Sequence, residues 1–151
     1  MKTIQDWLDE YQSSHMNPVN KRLHWICIPP IVFSVIAGLK AVPVGNELVN
    51  PATVALLLAW AYYFRLSPRL ALGILLLIPP LYGLVLAIPA GALLPVAVGV
   101  FVLAWIGQFI GHHVEGARPS FFKDLQFLLI GPLWLLADVY RRLDIPVARS
   151  A

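Results

Sequence analysis

The chain is short of charge. Of 151 residues, 13% are Asp, Glu, Lys or Arg while 59% are hydrophobic, about half the charged share of an ordinary soluble domain. That excludes a water-soluble monomer, because one small domain cannot hide so many apolar side chains and lipid must cover the remainder. Cysteine is nearly absent as well. Cys27 stands alone, which excludes an internal disulfide and a thiolate metal cluster. The sequence has no Gly-rich dinucleotide fingerprint, and Ser13, Ser14 and Ser120 lack the setting of a nucleophilic serine. Residues 1–15 carry Asp6, Asp9 and Glu10 without a continuous apolar run, so they do not read as a cleavable signal. The net charge of +3 is spread over short loops rather than gathered in a patch, and nucleic acid is not an expected partner.

Apolar length is what the chain has in quantity. Hydrophobic stretches run from about Trp25 to Leu39, Pro51 to Phe64, Leu70 to Ile88, Leu93 to Gly111 and Phe121 to Tyr140. The second is short for a span and either borrows its flanks or tilts little and lets Arg65 reach out to the interface. No charge falls between Leu70 and Gly111, and the Pro89, Gly91 and Pro95 region reads as the tight turn of a helical hairpin. Pro29-Pro30 and Pro79-Pro80 are expected to kink or end helices, which a membrane bundle tolerates. Ahead of these, Trp7, Leu8 and Tyr11 fall at helical spacing in a short amphipathic helix expected on the membrane surface. The expected fold is all-α, a polytopic transmembrane helical bundle of four to five membrane helices plus that N-terminal helix, in a single integral membrane domain over residues 1–151.

Four expected crossings separate Lys21-Arg22 from Arg118 and Lys123, and two bring the chain to Arg65 and Arg69, so these basic groups share one side. The other side receives Lys40, balanced by Glu47. The positive-inside tendency makes the shared side cytoplasmic. The charges of the final segment, Lys123 and Asp124 at its start and Asp138, Arg141 and Arg142 at its end, leave open whether it crosses or lies half-buried.

All four histidines fall in two short segments that this topology puts on one face: His15 and His24 before the first span, His112 and His113 after the fourth. Asn17-Pro18 reads as a helix N-cap followed by proline at the first helical position. A helix beginning there aligns Asn17, Asn20 and His24, while His15 lies upstream and can fold back toward His24. In the second segment Gln108, His112 and Glu115 share a face, and His113 points away from His112. Imidazoles gathered at a membrane boundary are good ligands for iron, zinc or copper, with Asn17, Asn20, Gln108 and Glu115 placed to orient them. Glu115 is expected to accept a hydrogen bond that orients His112 or Asn20, and has two further readings, a carboxylate ligand or a helix-end partner of Arg118. The same histidines also leave room for a haem-binding electron carrier, or for a noncatalytic membrane scaffold or transporter subunit.

The strings HMNPVNKRLHWICIPP and GQFIGHHVEGARPSFFKDLQFLLIGPLWLL resemble the 2-hydroxy fatty acid dioxygenase family of small membrane proteins, yeast-type and bacterial. The resemblance runs from Tyr11 to about Arg142 and is strongest to the bacterial members, which implies residence in a bacterial inner membrane. Val114 precedes Glu115 where fungal members carry phenylalanine, and Pro119-Ser120 stands where they carry Pro-Ala. The family implies Fe(II)-dependent α-oxidation, in which a 2-hydroxy fatty acid and O₂ give a fatty acid one carbon shorter plus CO₂. Its metal and catalytic histidines correspond to His15, His24 and His112, with His113 an optional fourth ligand. Three histidines on an octahedral Fe(2+) leave three positions, enough for a chelating hydroxy acid and O₂. The reaction supplies its own four electrons, in keeping with the missing dinucleotide motif. The acyl chain is expected to lie among the apolar helices of the lipid bilayer.

Overall fold

The computed structural model describes residues 2–116 and 121–147, the side chains of 121–125 excepted. The described residues form six helices and no strand: α1 (Ile4–Ser13), α2 (Pro18–Lys40), α3 (Pro51–Leu66), α4 (Pro68–Leu86), α5 (Ala90–Glu115) and α6 (Phe121–Arg142). Their starts share one local chemistry. Asn17, Asn50 and Ser67 each turn a side-chain oxygen onto the first free backbone N–H groups, and each is followed by a proline whose missing N–H would have been unpaired anyway. The start of α2 at Pro18 is the one the Asn17-Pro18 pair predicts. Thr3 and Asp6 close a reciprocal capping box on α1. At its other end, α5 stops on Gly116, whose φ of 73° is left-handed and comfortable for glycine.

Helices α2, α4 and α5 are long and apolar enough to cross a membrane. Helix α3 has 16 residues, about 24 Å against a hydrocarbon core of about 30 Å. It returns the chain between α2 and α4, so three of the expected four to five helices meet the length and composition of a span. Leu57, Leu58, Leu76 and Leu103 stand exposed on α3, α4 and α5, as lipid-facing side chains do. The proline pairs lie inside α2 and α4, neither of which ends at them. Pro95 and Gly91 also lie within a helix, α5, so the turn after α4 is confined to residues 87–89 rather than extending to Pro95. A proline there gives up one backbone hydrogen bond without stopping the helix.

The close pair is α2 and α5. Along α5, Ala104, Gly107 and Gly111 form a seam of small residues. A Cβ on Gly107 would fall 2.5 Å from Cys27 Sγ, and one on Gly111 would fall 2.4 Å from Asn20 Oδ1. Small residues four apart let membrane helices approach this closely and gain dispersion contact where lipid supplies no hydrophobic drive. Helix α1 is amphipathic as expected, but its buried stripe of Ile4, Leu8 and Tyr11 packs within the core beside α6 residues rather than lying bare on lipid.

Helix α6 answers the question its charges left open. It begins six residues after α5 ends, and at its far end the Arg142 guanidinium sits 5.6 Å from the centre of the Trp25 ring near the start of α2. Tyr140 donates to the Arg69 carbonyl at 3.1 Å, beside the α3–α4 turn. Both ends of α6 therefore stay at the end of the bundle where α2 starts, and the helix lies across that end. Arg118, and the side chains of Lys123 and Asp124, lie outside the described residues.

Candidate metal centre

His15, in the short link after α1, and His24, on the second turn of α2, are buried, and His112 near the end of α5 is half-buried beside them. The ring centres lie 4.2 Å (His15 and His24), 5.0 Å (His24 and His112) and 5.4 Å (His15 and His112) apart. One nitrogen from each ring falls within 4.8 Å of the other two.

The hydrogen bonds assign the tautomers. His15 Nδ1 lies 2.6 Å from the Tyr11 carbonyl oxygen and His24 Nδ1 lies 3.0 Å from the Asn20 carbonyl oxygen. A carbonyl can only accept, so each Nδ1 carries its proton and each Nε2 is left with a lone pair. Those two Nε2 atoms face each other at 2.9 Å. Two lone pairs at that distance repel unless a cation lies between them or one ring is charged. Burial pushes the His15 pKa down to about 4, against a weaker opposite pull from its bond to Tyr11, so at neutral pH this ring does not supply the proton. A metal ion satisfies both lone pairs at once.

Neighbours hold His15 and the start of the helix that carries His24. The Tyr11 ring stacks on His15 with centres 4.2 Å apart and planes 5° from parallel. Gln12 donates to the His15 carbonyl at 3.1 Å and accepts from Trp134 Nε1 at 3.0 Å, tying the link to α6. Glu115 closes the other side. Its carboxylate accepts from Met16 N at 2.9 Å, from Asn17 N at 2.9 and 3.1 Å, and from the Asn20 amide at 3.0 Å. It thus fastens the end of α5 to the exposed N–H groups at the start of α2, where the helix dipole also favours a negative charge.

Over residues 1–143 the chain matches the Mpo1-like family, described as 2-hydroxy-palmitic acid dioxygenase Mpo1-like. The chain belongs to that family. The 2-hydroxy-palmitic acid dioxygenase MPO1 of Saccharomyces cerevisiae is 29% identical over 138 residues, which cover 89% of this chain and 78% of the yeast protein. No solved structure matches.

In this Mpo1-like chain the remaining sequence candidates take distinct places. Asn17 caps α2 through its side chain and meets Glu115 through its backbone. Asn20 is fully buried and links Glu115 to His24, its amide donating to the first and its carbonyl accepting from the second. Gln108 is buried and faces the cavity beside His24 and His112, making no hydrogen bond to either ring. His113 is exposed and stands apart from the three clustered rings. Glu115 spends its acceptors on backbone and Asn20 rather than on a histidine. Tyr11, Gln12, Trp105 and Trp134 were not foreseen as part of the site. Only the four-residue step from Tyr11 to His15 hinted at one of them.

Proposed function

We propose that this chain is an Fe(II)-dependent dioxygenase that carries out α-oxidation of 2-hydroxy fatty acids at His15, His24 and His112. The facing Nε2 lone pairs of His15 and His24, with His112 as third donor, carry the reading, and membership of a family described as 2-hydroxy-palmitic acid dioxygenase gives it its substrate class. The overall reaction balances without a further reductant: R–CH(OH)–COOH plus O₂ gives R–COOH, CO₂ and H₂O. Iron held by the three rings would supply the redox chemistry and the open positions for a chelating hydroxy acid and O₂.

The residues of the chain do the rest. The Tyr11 and Asn20 carbonyls keep His15 and His24 in the tautomer that offers Nε2 and raise the basicity of the rings. Ile28, Ile31, Phe127 and Leu128 line the cavity beside the histidines and limit the access of water. A haem reading is less well supported. A cavity of about 50 Å³ holds no porphyrin, and the three rings gather at one point instead of facing each other across the bundle.

The test is metal analysis of protein purified without oxygen, followed by incubation with a 2-hydroxy fatty acid and labelled O₂. The expected product is one carbon shorter, carries label, and forms without added reductant. A strict need for a nicotinamide or 2-oxoglutarate, or a product of unchanged length, would refute the reading.

A further inference from the structure

The cavity beside the histidines lies among α2, α5 and α6 and measures about 50 Å³, room for a few water-sized groups. That matches the polar head of a hydroxy acid and leaves the acyl chain outside it. A carboxylate entering so small and apolar a space needs donors for whatever oxygens a metal does not take. Among the described residues that line the cavity there is no lysine or arginine. Arg22 and Arg142 line a separate surface groove with Trp25 and Ile26.

One donor from α5 is left over at this place, and a second lines the cavity beside it. Gln108 is 5% exposed, lines the cavity, and makes no hydrogen bond among the described residues. Trp105, three residues earlier and so on the same face of the helix, also lines the cavity, and its indole N–H is buried without an acceptor. A buried indole N–H without a partner is costly, and native structures keep such a group for a ligand or an ordered water, while the Gln108 amide opens onto the same cavity beside it. His112 follows one turn after Gln108, so Trp105, Gln108 and His112 form a polar ladder on the inner side of an otherwise apolar helix. On the outer side Trp105 packs against Phe101 and Phe109, with ring centres 5.8 and 5.5 Å away, which holds the indole in place.

The geometry points to Trp105 and Gln108 as the carboxylate-binding pair of this site, donating an indole and an amide N–H to the acid head of a fatty acid. This rests on the fatty-acid reading above and extends it, assigning recognition of the head to two neutral donors instead of to the basic residues at the membrane boundary. Neutral donors bind a carboxylate without placing a second positive charge beside a metal held by three neutral rings.

Trp105→Phe removes the N–H and keeps most of the ring, and Gln108→Met removes the amide at nearly constant volume. Binding is measured by equilibrium dialysis under argon, with metal-loaded protein in detergent and three radiolabelled probes: a 2-hydroxy fatty acid, the same acid without the hydroxyl, and the methyl ester of the second. Each variant should bind both acids about tenfold more weakly, the usual effect of losing one hydrogen bond to a charged group, with metal content and ester binding unchanged. Unaltered acid binding in both variants overturns the assignment, as does a loss shared equally by the ester or accompanied by loss of metal. Oxygen-dependent chain shortening by the unmodified protein is scored separately. If it fails while the acid-specific loss persists, the dioxygenase reading falls and the carboxylate pair stands.

Discussion

Asn20 and Gly111 touch where α2 and α5 come closest, the Asn20 side-chain oxygen lying 2.4 Å from where a Cβ on Gly111 would sit. The Asn20 carbonyl holds His24 and Gly111 neighbours His112, so this contact sets the distance between two of the clustered rings. Gly111→Ala should push the helices apart, destabilise the fold by about 1–3 kcal/mol, and lower metal content. Thermal melting in detergent and metal analysis of the purified variant check both. Unchanged values would mean that the seam is not what spaces the site.

Replacing His15, His24 or His112 by Ala, one at a time, should each remove most of the bound metal, while His113→Ala keeps it, because His113 is exposed and outside the cluster. Metal analysis of anaerobically purified variants decides this. Loss of metal in His113→Ala with retention in His112→Ala would reassign the ligands.

Glu115→Gln keeps the shape of the clamp but removes its charge and turns an N–H toward N–H groups that now have an acceptor. We expect a loss of about 1–3 kcal/mol in stability and a metal affinity lower by about tenfold or more, since the start of α2 carries His24 and the link before it carries His15. Competition with a chelator reads the affinity, and Glu115→Asp should behave no better, being too short to reach Met16 and Asn20 together.

Cysteine substitutions test the sidedness that the charges imply. Cys27 is buried, so an impermeant thiol reagent should leave the unmodified chain alone. Arg69→Cys, at the end of the bundle that carries the histidines, should label only from the cytoplasm, and Leu48→Cys, exposed in the loop after α2, only from the opposite side. The reverse pattern would place the histidines outside.

Much of this was readable from residues alone, for physical reasons. Apolar runs without charge mark helices in lipid whatever packs on them, and Asn17-Pro18 marks a helix start through backbone chemistry local to those two residues. The gathering of His15, His24 and His112 followed from counting crossings; α3 is short, as its apolar run implies, and α6 lies across the end of the bundle. What escaped was pairwise and long-range. Gly107 and Gly111 are ordinary residues until Cys27 and Asn20 come against them. The sequence places Glu115 to orient His112 or Asn20, and it does accept from the Asn20 amide; its further engagement by backbone N–H groups almost a hundred residues earlier is a kind of partner no side-chain pattern announces. Gln12 and Trp134 pair across an even greater separation. The turn was placed too broadly because Pro95 reads as a breaker in sequence, whereas the helix absorbs it.

The three clustered rings come from a link, from the helix that follows it, and from a helix completed far later in the chain. His15 and His24 leave the ribosome nine residues apart, but His112 cannot join them until α3 and α4 have been made and α5 has packed its glycines on α2. A metal that needs all three rings can therefore be captured only at the close of assembly. Chains arrested before α5, or unable to seat it, would remain metal-free, so metal occupancy in a population of these molecules would count how many had finished inserting.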